Sequence, residues 1–188
     1  MTDVAAGSTV VQSNDVLAFW RAAGPQKWYT KDSDFDAEIV RRFLPTYEAA
    51  AAGRLSHWED TPEGALALVI TLDQLPRNMF RGNPRTFAAD ALARAAADRA
   101  ISRGFDQRIA TQERQFLYIP FEHSEDAADQ ERSLRLFRSN DDAEALKWAE
   151  LHADIIRRFG RFPHRNAILG RATTPGEQAF LNSGGFAG

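Results

Sequence analysis

The apolar residues of this chain recur mostly at helical spacing. After Ser33, apolar side chains are found at Phe35, Ile39, Phe43 and Tyr47, four positions apart in each case. Residues at this spacing lie on one side of an α-helix, so the pattern predicts an amphipathic helix. Ser33 is a residue type that often caps a helix N-terminus, and we expect this helix to begin there.

A second stripe runs from Trp148 through His152 and Ile155 to Phe159. Its spacing of four, three and four residues is again that of a helix with one apolar face. Gly160 follows directly and is expected to end the helix, since glycine readily adopts the left-handed conformation found after helix C-termini.

The run 65–72, Ala-Leu-Ala-Leu-Val-Ile-Thr-Leu, is apolar on nearly all sides. It lacks the alternation of a half-buried strand, and its flanks resemble helix caps, so we interpret it as a central buried helix that ends at Asp73. A buried β-strand is the alternative interpretation, because a short apolar run fits both structures.

Proline, glycine and capping residues predict further helix ends. Gly24-Pro25 is expected to end the first helix. A later helix is expected over 111–118, stopping before Pro120, and Ser124 is expected to cap the next one. Thr174-Pro175 is expected to begin the last helix.

Together these patterns predict seven or eight helices and no strand. We therefore expect an all-α protein built from antiparallel helix pairs. Residues 1–12 carry no helical pattern and are expected to form a flexible tail, followed by a single all-helical domain over residues 13–188.

Composition narrows the possible functions. The formal net charge is −3, so overall charge favours neither nucleic acid nor an anionic membrane as a partner. Cysteine is absent, which excludes disulfides and thiolate chemistry. No secretory signal is visible at the start, and no apolar run is long enough to span a bilayer, so we expect a soluble cytoplasmic protein.

The stretch 159–171, Phe-Gly-Arg-Phe-Pro-His-Arg-Asn-Ala-Ile-Leu-Gly-Arg, concentrates positive charge in a net-acidic chain. Arg161, Arg165 and Arg171 present fork-shaped donors that suit carboxylate or phosphate, and Asn166 lies among them. The stretch is therefore either an anion site or an internal clamp in which the arginines bind acids and helix carbonyls.

A buried acid is expected at Asp73, directly after the apolar run. A buried carboxylate needs a partner, and Arg77 and Arg81 are the nearest candidates in sequence. The pair either fixes the local turn or orients an arginine, together with Asn78, towards a ligand.

Four further polar residues are candidates for chemistry. His123, with Glu125, is either a general base with its orienting group or the entry of a capped helix. Gln130 and His152 each lie on an otherwise apolar stripe and must form hydrogen bonds there. The possible metal ligands are His123, His152 and His164, but their spacing matches no standard ligand pattern. No cofactor motif is present.

Three segments taken together resemble one known family. They are 72–82 (LDQLPRNMFRG), 118–126 (YIPFEHSED) and 159–171 (FGRFPHRNAILGR). In this order they are similar to the bacterial domain of unknown function 924, over nearly the whole chain. The resemblance implies an all-helical, tetratricopeptide-like fold and no assigned activity. Leu75 and Gly176 depart mildly from the family pattern.

The resemblance also implies a set of marked positions that is more polar than packing requires. They are Asp73, Gln74, Pro76, Arg77, Asn78, Arg81, Gly82, His123, Ser124, Glu125, Gln130, His152, Gly160, Arg161, Pro163, His164, Arg165, Asn166 and Arg171.

Three functions follow as hypotheses. The first is a polar cleft that binds a small anion or an acidic peptide end through the arginines, Asn78, Gln130 and Asn166. The second is a hydrolase- or transferase-like enzyme with His123 or His164 as general acid/base, Glu125 or Asp73 as orienter and an arginine-bound phosphate or carboxylate. The third is a scaffold for protein partners, for which Trp28, Tyr29 and Trp58 are the candidate aromatics.

Overall fold

The computed structural model describes residues 9–186, and these residues are helical without any strand. Counting the continuous run 62–79 once, they form eight helices, which confirms the all-α prediction. Residues 1–8 of the predicted tail (residues 1–12) lie outside the described residues, and residues 9–12 precede α1 without helical structure. The helices are α1 (Ser13–Trp28), α2 (Ser33–Ala51), α3 (Pro62–Val69), α4 (Leu75–Met79), α5 (Asp90–Ser102), α6 (Thr111–Glu122), α7 (Ala127–Arg138), α8 (Ala143–Phe159) and α9 (Pro175–Asn182).

The chain packs into two compact units. The first unit contains the described residues up to 81 together with 85–109, and it holds α1 to α5. The second contains 82–84 and the described residues from 110 onwards, and it holds α6 to α9. Each unit therefore has its own set of packed helices.

The apolar run forms the central helix of the first unit, and the strand alternative is wrong. Thr61 caps α3 by accepting a hydrogen bond from the Gly64 N–H at 3.1 Å. Helices α1 and α5 pack against α3, and α2 packs against α4, so the run is buried from several sides. Asp73 does not end this helix, because a π-helical turn (Ile70–Gln74) carries the chain directly into α4.

The apolar stripe of α2 is confirmed, but the helix is capped one residue earlier than predicted. Phe35, Ile39 and Phe43 are at most 3% exposed. Asp32, rather than Ser33, is the N-cap, because its carboxylate accepts hydrogen bonds from the backbone N–H groups of Asp34 and Phe35. A carboxylate at this position satisfies two of the four N–H groups that a helix start leaves unpaired.

Gly24 ends the regular helix of α1, as predicted, although α1 continues beyond it in one further turn. The glycine has φ +69°, outside the helical region, and the chain then re-enters a helical turn up to Trp28. Trp28 is buried there, with its ring 6.1 Å from that of Trp20 and its Nε1–H donating to the Trp20 carbonyl at 2.7 Å. The stacked tryptophans hold the extra turn in place.

In the second unit, α7 packs against both α6 and α8. Two predicted boundaries are wrong here. Helix α6 continues through Pro120 to Glu122, because the burial of residues 116–122 offsets the lost hydrogen bond and the steric strain that a proline causes in a helix. Helix α7 is capped by Asp126 instead of Ser124, since the Asp126 carboxylate accepts from two N–H groups of the first turn.

The stripe of α8 is confirmed, with His152 and Ile155 buried and Trp148 48% exposed at its edge. Gly160 ends α8 in the left-handed conformation, at φ +70°. The chain beyond it is irregular, as predicted, with one tight turn (Pro163–Arg165) before α9. Among residues 9–186, no helix combines the length and apolar content needed to cross a membrane.

Gly64 is the position where the first unit tolerates a side chain least. A Cβ atom there would lie 2.1 Å from the Trp58 carbonyl oxygen. We therefore expect Gly64→Ala to lower the free energy of unfolding by roughly 1–3 kcal/mol, measured by urea denaturation. Gly176→Ala is the control: nothing lies within 4 Å of its Cβ, and the change should be small. Equal midpoints for Gly64→Ala and wild type would contradict this packing.

Candidate active site

Asp73 is fully buried in the first unit, and its carboxylate contacts two neighbouring side chains. Gln74 Nε2 donates to its Oδ2 at 2.6 Å, and Arg77 Nη1 lies 3.4 Å from its Oδ1. Arg77 also donates to both carboxylate oxygens of Asp90, at 3.2 and 3.3 Å. The expected Asp73–Arg77 pair is present, and it joins the π-helical turn to α5.

Arg81 does not pair with Asp73, contrary to the second expected partnership. Its Nε and Nη2 donate to the carboxylate of Asp36, at 2.5 and 3.1 Å. Asn78 Nδ2 donates to the same carboxylate at 2.7 Å. Asp36 lies in the first turn of α2, so Asn78 joins α4 to α2 and Arg81 joins the turn after α4 to the same helix.

Arg171 and Glu125 form a clamp in the second unit. Arg171 donates to both carboxylate oxygens, at 2.7 and 3.0 Å, and to the Asn166 amide oxygen at 3.0 Å. The Phe162 N–H also donates to Glu125, at 2.8 Å. Burial raises the pKa of Glu125, but the Arg171 and Phe162 hydrogen bonds together outweigh it, so the net pKa is lowered.

Arg161 forms a second clamp with Glu177 in α9. Its Nε and Nη2 donate to the two carboxylate oxygens, at 2.5 and 2.8 Å. The Arg161 hydrogen bonds, followed by the Thr174 N–H, hold the pKa of Glu177 far below its usual range. The same carboxylate closes the capping box with Thr174 that begins α9.

Four of the five arginines proposed as anion contacts are therefore paired with carboxylates of the chain. Aspartate pairs with Arg77 and Arg81, and glutamate pairs with Arg161 and Arg171. Arg165 is 6% exposed, and its guanidinium lies 4.5 Å from the centroid of the Phe162 ring. The clamp interpretation describes the four paired arginines.

Gln130 holds the turn between α6 and α7. Its buried side-chain amide donates to the carbonyls of Glu122 and Ser124, at 2.7 and 2.6 Å. These bonds fix the end of the helix that carries Glu122.

His152 has a buried carboxylate beside it that the sequence analysis did not identify. Its Nδ1 lies 2.8 Å from the Trp148 carbonyl oxygen and 3.1 Å from Oε1 of Glu122. Both His152 and Glu122 are 6% exposed. Glu122 is adjacent to His123 in the sequence but pairs with a residue thirty positions away, so only the packing of α6 against α8 reveals its role.

Two more histidines lie near this pair. The ring centroids of His123 and His152 are 6.4 Å apart, and Phe162 lies 5.5 Å from His152 and 5.6 Å from His164. Two histidines thus lie against the ring of Phe162, and the third, His123, lies beside His152. His123 and His164 are partly exposed, so solvent reaches the edge of the cluster.

His164 is a neutral imidazole near physiological pH. Burial, followed by the charges of Arg165 and His123, lowers the pKa of His164 to about 4, against an opposing effect of Glu125. Its Nδ1 is buried and has no hydrogen-bond partner within the described residues.

The cluster therefore offers two imidazoles in different environments. One lies next to a buried carboxylate, and the other is kept neutral beside an arginine. Groups of this kind transfer protons and bind the polar atoms of a substrate. Across residues 9–186, no three His, Asp or Glu side chains are placed to hold a metal ion.

Comparisons with known proteins agree on a family without assigned activity. The profile of a bacterial protein family of unknown function, DUF924, matches residues 16–185. The solved structure of a protein of unknown function from Agrobacterium tumefaciens, ATU0120, is 47% identical, with a TM-score of 0.89. The match covers 91% of this chain and 97% of that one. No curated protein matches.

The Arg171–Glu125 clamp predicts a specific loss of stability. Arg171→Ala leaves a half-buried carboxylate without its cation, and we expect the free energy of unfolding at pH 7 to fall by roughly 1–3 kcal/mol. The loss should shrink as pH falls below about 4.5, because protonation of Glu125 removes the charge that Arg171 stabilises. Denaturant unfolding at several pH values measures both effects.

Arg157→Ala is the matched control. Arg157 is 64% exposed and pairs with Asp154 on the surface of the same unit, so its removal should cost less than about 0.5 kcal/mol. Equal losses for the two variants, or a loss at Arg171 that does not depend on pH, would contradict the clamp.

Proposed function

This chain belongs to the bacterial DUF924 family, and we propose that its second unit holds an acid–base site that acts on a small anionic substrate. In this site His152 exchanges a proton with the substrate at Nε2. The observation that carries the proposal is the buried Glu122 oxygen, 3.1 Å from Nδ1 of His152. The reaction class is hydrolysis or transfer at a phosphate or carboxylate ester.

The contacts of His152 determine which of its nitrogens is reactive. A carbonyl oxygen only accepts hydrogen bonds, so the nitrogen 2.8 Å from the Trp148 carbonyl must carry a hydrogen. In the neutral ring the proton is therefore on Nδ1, and Nε2 holds the lone pair. Nε2 is then the atom that takes a proton from water or from a substrate hydroxyl.

Glu122 supplies the charge that this step requires. When Nε2 takes a proton the ring becomes positive, and a carboxylate 3.1 Å away stabilises that cation. Both groups are nearly excluded from water, which strengthens their interaction. A carboxylate beside the far nitrogen of a histidine base has the same effect in catalytic triads.

Arg165 and His164 are the groups that we assign to substrate binding. The positive charge of Arg165 is close enough to lower the pKa of His164, so an anionic group beside His164 is attracted by the same charge. The neutral imidazole of His164 offers a hydrogen bond without a competing charge. The anion-binding hypothesis thus continues in a narrower form, with Arg165 as the cation.

The proposal includes two expectations that rest on the sequence. One is a tetratricopeptide-like arrangement of the helix pairs, and the other is a cytoplasmic location. The scaffold hypothesis has less support, because Trp28 and Trp58 are 8% and 5% exposed, and only Tyr29 of the three candidate aromatics is well exposed.

The proposal is tested with p-nitrophenyl phosphate and p-nitrophenyl acetate as chromogenic probes. We expect His152→Asn to reduce the rate of hydrolysis of the accepted probe by about 10²–10⁴-fold. Glu122→Gln should reduce it by at least about tenfold. His57→Asn is the control, because His57 is exposed and lies in the first unit.

A second readout is independent of the probe. The midpoint of the His152 ring titration, followed by NMR, should fall by about 1 pH unit or more in Glu122→Gln because the neighbouring negative charge is lost. Full activity in His152→Asn would contradict the proposal, and so would a His152 titration that does not respond to Glu122→Gln.

A further inference from the structure

The segment after α9 folds back and lays one aromatic ring over the histidine site. The ring of Phe186 lies 4.6 Å from that of His152, 5.2 Å from that of His164 and 6.4 Å from that of Trp148, measured between centroids. The interplanar angles are 66°, 82° and 56°. The pairs with His152 and His164 are edge-to-face and the pair with Trp148 is tilted, and all three distances are those of favourable aromatic pairs.

Two glycines bring Phe186 to this position. Gly184 has φ +80°, which turns the chain back after α9. The Gly185 N–H donates to the Phe180 carbonyl at 3.0 Å, and a Cβ on Gly185 would lie 2.6–2.7 Å from atoms of Phe180. The segment is therefore closely packed, and glycine is the residue type that permits the approach.

The place occupied by Phe186 is a slot with aromatic walls. His152, His164 and Trp148 form the sides, and the apolar cluster of Ile155, Ile156 and Phe162 lies against the ring. The slot is open to solvent on one side, since Trp148 is 48% exposed and Phe186 itself is only partly buried.

We propose that this slot binds a flat aromatic or heteroaromatic group of the substrate, and that Phe186 occupies the slot when no ligand is bound. The inference rests on the proposed function, because it adds a ring to the anionic substrate assigned there. A ring in this position lies edge-to-face against His152 and His164. A polar substituent on that ring is then within reach of an imidazole nitrogen.

Phe186 competes with such a ligand for the same space. The apparent affinity of a site is reduced by the fraction of molecules in which it is closed. Removing the phenyl ring therefore raises the affinity for a flat ligand, while a saturated ligand of the same size gains less because it lacks the ring faces that the walls contact.

The experiment uses phenol as the flat probe and cyclohexanol as the saturated control. Each is titrated into the wild-type chain and Phe186→Ala, with the imidazole signals of His152 and His164 followed by NMR. We expect phenol to shift both signals in wild type and to bind at least about tenfold tighter in Phe186→Ala. Cyclohexanol should bind more weakly than phenol to both proteins.

Two further variants separate the slot from a general cavity effect. Phe159→Ala removes a ring from the same apolar cluster, where Phe159 contacts Phe180, and should not raise the phenol-induced shifts of the histidines. Gly185→Ala displaces Phe186 without removing it and should also tighten phenol binding. It provides the test if Phe186→Ala does not fold.

The inference is overturned if phenol leaves the His152 and His164 signals unchanged, or if neither Phe186→Ala nor Gly185→Ala binds phenol more tightly than wild type. It is also overturned if cyclohexanol binds as well as phenol. These results are distinct from a failure of the acid–base proposal. Phenol binding together with full activity in His152→Asn would retain the slot and remove the catalytic role.

Discussion

A carboxylate removed from water must be balanced by a cation or by several hydrogen-bond donors, and both units depend on this requirement. In the first unit, Arg77 balances Asp73 and Asp90. In the second, Arg171 balances Glu125, and the pair connects the start of α7 to the irregular stretch before α9. Most of the arginines that make the sequence look like an anion site thus serve the fold.

Glu122 is the exception to this arrangement. Its neighbour is His152, and an imidazole can gain and lose a proton whereas an arginine stays charged. A buried carboxylate paired with an imidazole is therefore suited to proton transfer as well as to packing. His152 and His164 both lie against the ring of Phe186, so one small region of the second unit combines a base, a neutral imidazole and an aromatic slot.

The sequence predicted several helix ends that are set by local interactions, and it missed the contacts between distant segments. Gly160 and the Thr174 cap were predicted because helix ends depend on neighbouring residues. Pro120 was misinterpreted, since the cost of a proline inside a helix is offset by the packing of α6, which one segment does not reveal. The pairing of Glu122 with His152 joins two helices thirty residues apart, so no spacing rule indicates it.

The most direct measurement is a long-range ¹H–¹⁵N NMR spectrum of the imidazole rings, recorded at about pH 8, where an ordinary histidine is neutral, and again at pH 6. Our interpretation predicts that His152 carries its proton on Nδ1 at pH 8, with Nε2 unprotonated, because Nδ1 faces the Trp148 carbonyl and Glu122. It also predicts that His164 is neutral at both pH values, since burial lowers the pKa of His164 to about 4. A proton on Nε2 of neutral His152, or a charged His164 at pH 6, would contradict the site.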